Sequence, residues 1–415
     1  MAQVAVGDEG LAPHRACYMN LLRTSLTTAM ASVVSLGAQA TFSLVMLRFF
    51  GPKDVGEFSV VSQIAFFWIT LALAQSPLSL LADVHRPPGL ALRMALGASV
   101  LRLVVLAPLA WMAVNLAEVS PKPVVFGWVM ALGMLQLGWY LAQPFTLRTG
   151  SARSIAWVRA APPVVALVVA GAVGHQWPHL GAAGLLLAAV SGYAVGALWL
   201  LPAGRKRAER GVGADLPGAS AQADRRSMTL RLTHTAADAL TGAAMVMLWQ
   251  SNHGAAAAGF LAVLLRVFGF VPTLIHVSWA QVLLAQGLDR HVSPLWIGLA
   301  GSVGTALLGL ACVGAVKLGW LAPSWEGLLP YVIPLVLWQS AACFLAAGSH
   351  LPFQKDRASA FSVLAIGFDM CQIVVLCAPM VLALSWEPAT HAWWLSGVSA
   401  IALIGLSYWL LRPSD

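Results

Sequence analysis

Charge is what this chain has least of. Of its 415 residues, 24 are Lys or Arg and 16 are Asp or Glu. Charged residues thus make up 10% of the chain, where a soluble domain carries about 25%. With 59% hydrophobic residues beside so few charges, a water-soluble surface cannot be covered, which excludes an ordinary soluble enzyme or binding domain. Cysteine is scarce as well. Cys17, Cys312, Cys343, Cys371 and Cys377 form no CxxC pair, so neither a disulfide framework nor a zinc site is expected. There is no GxxxxGK[ST] loop, so the chain does not hydrolyse nucleotide by itself. No DxD or DDxxD cluster is present either, and the predicted outer loops are short. Both features count against a membrane glycosyltransferase or polymer ligase, which needs paired carboxylates or a sizeable outer loop. The expectation is a non-enzyme without cofactor or metal. Residues 1–20 lack the apolar core of a cleavable leader and carry Asp8, Glu9, Pro13, His14 and Arg15, so they read as a polar tail.

What is present is a series of apolar runs, each long enough to cross a bilayer as a helix of about 20 residues. Twelve are predicted: 25–47, 57–81, 94–116, 123–147, 154–173, 180–202, 229–250, 255–285, 294–316, 327–349, 359–384 and 390–411. A backbone in hydrocarbon must satisfy its own hydrogen bonds, so these are helices, and an outer-membrane barrel would show alternating segments about half as long. The fold expected is an all-α, polytopic membrane protein.

The basic residues set its orientation. With both termini and the even-to-odd loops in the cytoplasm, 18 of the 24 Lys and Arg lie on that side. Only Arg48, Lys53, Lys122 and Lys317 lie on the other, which is the positive-inside bias. The net charge of +8 is therefore topological, and no nucleic-acid partner is expected. Residues 203–228 hold six basic and three acidic residues among Gly, Ala, Pro and Ser. They read as a cytoplasmic linker, with docking of a partner as the other reading. The chain divides accordingly into a tail (1–24), a six-helix half (25–202), the linker and a second six-helix half (229–411). The halves echo each other, VGEFSVVSQIAFF (55–67) against AAGFLAVLLRVFGF (257–270). Repeated halves are common in secondary transporters, which bind substrate between them.

One short stretch carries a resemblance. In LGAQATFSLVMLRFFGPKDVGEFSVVSQIAFFW (36–68), Arg48, Phe49, Phe50, Gly51, Pro52, Asp54, Gly56 and Phe58 stand between the first two spans. The pattern resembles that of the Wzx-type polysaccharide flippases, a branch of the multidrug/oligosaccharidyl-lipid/polysaccharide exporter superfamily. The resemblance implies two halves around a central cavity lined with cationic side chains, and alternating access in the inner membrane. It also implies a polyprenyl-diphosphate-linked oligosaccharide as substrate, for cell-surface polysaccharide such as O-antigen or exopolysaccharide. The alternative within the superfamily is an antiporter of small cationic drugs. Membrane lipids are implied partners, with H⁺ or Na⁺ and other polysaccharide-assembly proteins as further ones. Physically, Gly51-Pro52 makes a tight turn, Arg48 can snorkel, and the nearby acidic residues are placed to pair with it.

Charges inside spans are costly, roughly 2.5–3.5 kcal/mol each at a helix centre, and ask for an explanation. Arg266 and Arg102 suit a diphosphate, because a guanidinium keeps its charge and grips phosphate oxygens in a fork. Arg48 and Arg23 lie near the two mouths. Pairing of Arg266 with Asp369 or Asp238 is the competing reading. In RLTHTAADALTG (231–242), Arg231, His234 and Asp238 share one helix face. His234 and Asp238, with Asp369, are candidates for ion coupling, and equally for a static lock between helices. Thr28, Ser32, Ser35, Gln39 and Ser43 stripe the first span, and Gln136, Tyr140 and Gln143 the fourth. Both stripes suit a sugar path, although small polar residues also pack membrane helices together. Prolines within the spans predict kinks around a cavity.

Overall fold

The computed structural model describes residues 12–74, 76–82, 86–117, 119–150, 152–200, 225–276, 279, 293–355 and 357–412; the side chains of 12–29, 82, 152, 225–228 and 231 lie outside the description. The described residues are helical and contain no strand. The first half comprises α1 (Ala12–Phe49), α2 (Pro52–Leu73), α3 (Ser76–Ala82), α4 (Pro88–Val105), α5 (Ala107–Leu116), α6 (Lys122–Thr149), α7 (Ala152–Gln176) and α8 (Gly181–Ala197). The second comprises α9 (Arg225–Ile275), α10 (Pro294–Lys317), α11 (Leu329–Gly348), α12 (Leu351–Gln354), α13 (Ala358–Val381) and α14 (Pro388–Leu411). Among the described residues, eleven helices are long and apolar enough to cross a membrane. One of them, Leu232–Ile275, has 44 residues and would extend about 66 Å, roughly twice the hydrocarbon thickness. It is two spans, because Gly254 adopts φ 85 and ψ 169 and breaks α9 in the middle. The chain is thus an all-α polytopic membrane protein with about twelve spans in two six-helix halves. The helix α1 starts at Ala12, inside the stretch expected as a polar tail.

All the α1–α2, α7–α8 and α13–α14 turns fall at one end of the bundle, here the turn end. Ala12, Leu200, Arg225 and Arg412 fall at the other, the linker end. At the turn end, Gly51 and Pro52 reverse the chain, and the Gly51 N–H donates to the Asp54 carboxylate at 3.1 Å. This caps the N-terminus of α2, where a negative group is favoured by the exposed amides. Lys53 and Glu57 pair at 3.9 Å one turn apart. The expected pairing of Arg48 with these acids does not occur: Arg48 is exposed at the end of α1, and the carboxylates are taken by closer groups of α2 itself.

Two spans are broken by proline. Helix α2 ends at Ala74, which has φ 47, ahead of Pro77. The third span stops at Leu106, ahead of Pro108. The breaks lie side by side and satisfy each other's carbonyls, as hydrocarbon demands. Arg102 donates to the carbonyls of Ala72 and Leu73 at 3.0 and 3.1 Å and to Ser76 Oγ at 3.3 Å. Trp68 Nε1 donates to the carbonyl of Leu103 at 3.1 Å.

The halves meet where α2 crosses the part of α9 after Gly254. A Cβ on Gly56 would run into the carbonyl oxygen of Ala255 and stand 3.1 Å from the Gly259 nitrogen. A Cβ on Gly259 would run into the carbonyl oxygen of Pro52 and stand 3.1 Å from the Gly56 nitrogen. The contact is reciprocal, so the sequence echo marks a two-fold-like crossing in which only glycine lets the backbones touch. Beyond it, Trp325 in the 3₁₀ turn Pro323–Leu328 donates to the Phe50 carbonyl at 3.2 Å, which ties the second half to the end of α1.

Candidate functional site

A cavity of about 480 Å³ lies on the linker-end side of this crossing. Its walls come from α1, α2, α6, α7, α8 and residues 265–273 of α9. Six aromatic rings line it: Phe42, Phe58, Trp139, Tyr140, Tyr193 and Phe270. Gln39, Ser43, Ser62 and Thr273 add polar groups, and Arg266 adds the one charge among the lining residues. Among the described residues, no Asp or Glu lines the space.

Arg266 is held by packing. Its guanidinium lies over the Phe58 ring, 5.0 Å from the centroid, and Nη1 approaches Met46 Sδ at 3.2 Å. No carboxylate of the described residues comes within 4.0 Å of it. The competing reading, a buried pair with Asp369 or Asp238, is therefore not the arrangement. A cation against an aromatic face and a thioether keeps most of its hydrogen-bonding capacity for a ligand.

The other sequence-predicted residues are distributed as follows. Gln39 and Tyr140 line the cavity, and Gln39 Nε2 donates to Ser35 Oγ at 3.3 Å. Gln136 is buried one turn from Tyr140, behind the wall, with Oε1 unbonded. Arg102 is absent from the cavity wall, and its Nη1 is engaged by the open carbonyls at the α2–α3 break. Arg48 lies at the turn end, away from the wall. Arg23 falls among the residues whose side chains lie outside the description.

The ion-coupling candidates do come together. His234 and Asp238 lie on the first part of α9 and Asp369 on α13. His234 stacks edge-on with Phe361, ring centroids 6.2 Å apart. The two carboxylates are near enough to repel, with His234 attracting Asp238 from one turn away. Asp369 is 4% exposed, and its Oδ2 has no hydrogen-bond partner.

Reading the sequence missed three residues here. Trp139 and Tyr193 face the cavity with ring centroids 5.4 Å apart. Tyr193 was findable, as one of two hydroxyls, with Ser191, in a Gly- and Ala-rich span. Trp139 was not, since membrane tryptophans usually mark interfaces. Arg159, counted with the cytoplasmic loops, belongs to α7 and donates to Ser32 Oγ at 3.1 Å. Ser32 lies seven residues before Gln39, about 10 Å along α1 at the helical rise. The stripe on α1 thus runs from Arg159 to the cavity.

Fold and cavity together define a class: an all-α, multi-pass membrane protein with a cavity opening among its helices. Solved structures share this fold. A multidrug resistance MATE family transporter of the MOP superfamily, inward-facing, superposes with a TM-score of 0.58 at 12% identity, covering 93% of this chain and 96% of that one. The lipid II flippase MurJ, in an inward closed conformation, gives a TM-score of 0.60 at 11% identity over 94% and 87% of the two chains. The MATE multidrug transporter DinF-BH, solved as a complex, gives 0.53 at 13%, over 95% of each. No protein-family model and no curated protein sequence matches the chain.

Proposed function

We infer that the chain is a flippase. It moves a polyprenyl-diphosphate-linked oligosaccharide from the cytoplasmic to the outer leaflet of the inner membrane by alternating access, for cell-surface polysaccharide. The observation that carries this reading is Arg266, the one charge among the described residues that line the cavity. A cationic drug would be repelled there and a phosphate attracted. The surrounding hydroxyls, carboxamide and aromatic faces suit a sugar, and the volume suits a headgroup while the polyprenyl tail stays in lipid. Arg159 stands on the approach from the linker end, which the basic residues place in the cytoplasm.

The drive comes from Asp238 and Asp369. A proton or Na⁺ between them relieves their repulsion and draws α9 towards α13, while His234 tunes the site. Because the two parts of α9 on either side of Gly254 carry Asp238 and Arg266, filling the ion site and filling the cavity bias two spans that adjoin at that break.

A second reading, an antiporter of drug cations, draws on the aromatic lining and the fold it shares with multidrug transporters. The test is binding of a short-chain polyprenyl-diphosphate sugar to purified protein, against the monophosphate and a lipophilic cation. Preference for the diphosphate that weakens in high salt supports the flippase. Preference for the cation overturns it in favour of the antiporter.

A further inference from the structure

The turn end of the second half holds a histidine pair that neither the cavity nor the acidic site uses. His253 precedes the Gly254 break in α9, and His391 lies in the first turn of α14. His253 Nε2 and His391 Nδ1 are 2.8 Å apart. His391 is fully buried and its Nε2 is 3.1 Å from the Val375 carbonyl.

The sequence explains why that carbonyl is open. Pro379 stands four residues after Val375 in α13 and has no N–H to give it. The neighbouring carbonyl, Leu376, is taken by Asn252 Nδ2 at 3.2 Å. The kink thus draws in one donor from α9 and one from α14.

Those contacts fix the tautomers. A carbonyl only accepts, so His391 Nε2 carries a hydrogen and its Nδ1 offers a lone pair. His253 Nε2 must then donate across the 2.8 Å contact, which leaves His253 Nδ1 as the one nitrogen of the pair without a bond in the structure. A proton added there turns the neutral hydrogen bond into a charge-assisted one without moving an atom. A second proton would put N–H against N–H across 2.8 Å and break the pair. The geometry accepts one proton and rejects two.

Burial works against a cation at His391, and indole faces oppose that cost. The Trp249 ring stacks on His391 at 4.5 Å and meets His253 at 4.9 Å, and Trp386 stands 5.4 Å from His391. Indole faces are the best aromatic partners for a positive charge. Tyr331, Cys377, Glu326, Glu387, Lys317 and, on α2, Lys53, Asp54 and Glu57 are the other titratable groups on the elements packed at this end. Glu387 is exposed and bonds to His391 through its backbone carbonyl, and none of these side chains bonds to either imidazole.

We propose that His253 and His391 form a one-proton site entered through His253 Nδ1, and that the bound proton tightens the closed turn end. The connection to closure is physical. Trp249 packs on Tyr331, Tyr331 on Phe260 and Phe260 on Trp325, whose indole N–H holds the Phe50 carbonyl of the first half. The inference is independent of the substrate assigned above.

Two measurements on the purified full-length protein test it. The first is deuterium exchange at imidazole C2, followed by mass spectrometry from about pH 8.5 to 4.5, which reports the protonation of each histidine separately. One ring of the pair is expected to gain a proton within that range while the other stays neutral. Two rings that both charge, or both stay neutral, would overturn the proposal. The second is amide exchange of the segment around Trp325, corrected for the intrinsic pH dependence. Protection there is expected to rise at least about twofold from roughly pH 8 to pH 5 in the wild type, and not in His253→Gln, which keeps a donor towards His391. A rise that persists unchanged in the variant, or no rise in either protein, removes the link to closure.

Discussion

Replacing Arg266 separates charge from shape. Arg266→Gln removes both, and a hydrogen bond to a charged group is worth roughly 1.5–3 kcal/mol, so binding of the diphosphate sugar is expected to fall about 10- to 150-fold. Arg266→Lys keeps the charge but loses the planar fork and its seat on Phe58, and is expected to fall between the two. Titration calorimetry or a fluorescent analogue measures this; equal affinity in Arg266→Gln and wild type would sink the assignment. Arg102 is expected to behave in the opposite way. Arg102→Leu orphans two carbonyls, at about 1–3 kcal/mol for each unsatisfied buried group, so the melting temperature drops while the affinity holds. In the sequence the two arginines look alike, since each is one cation in an apolar span. What separates them is whether a helix break supplies carbonyls nearby, and that break lies 30 residues from Arg102 in another helix.

At the scale of elements, the α2–α9 crossing makes the sharpest prediction. Gly56→Ala and Gly259→Ala each place a methyl group against a carbonyl oxygen of the opposite helix. Each is expected to cost about 1–3 kcal/mol by forcing the backbones apart. Once one methyl has separated the helices the second meets less resistance, so the double variant is expected to lose less than the sum of the two. Thermal unfolding of the four proteins completes the cycle, and strict additivity would show that the two glycines do not share one contact. The spans themselves were legible because hydrophobic length is a strong signal. Their internal breaks were less so: Pro77 and Pro108 were visible, but where the helices stop depends on which side chains catch the freed carbonyls. The echo between the halves was visible too. Its meaning, two glycines facing each other, was not, because a contact between residues so far apart in the chain leaves no local mark.

For the whole molecule, the orientation and the ion drive are open to direct test. If the linker end is cytoplasmic, Leu318→Cys near the turn end, in a background without native cysteines, reacts with a membrane-impermeant maleimide in intact cells. Phe353→Cys near the linker end reacts only after permeabilisation. Both residues are well exposed, 86% and 54%, so burial will not mask the result; the reverse labelling pattern would invert the topology. The proposed drive depends on the Asp369 carboxylate keeping an unbonded oxygen. Asp369→Asn removes the repulsion with Asp238 that a cation would otherwise relieve. The variant is therefore expected to bind the diphosphate sugar as wild type does, because the cavity is untouched, while flipping in proteoliposomes becomes indifferent to imposed Na⁺ and pH gradients. If the gradient response survives intact, the two carboxylates are a static lock and the free energy for transport enters elsewhere. If binding is lost along with it, the acidic site and the cavity are one unit joined through the two parts of α9, which carry Asp238 and Arg266 on either side of Gly254.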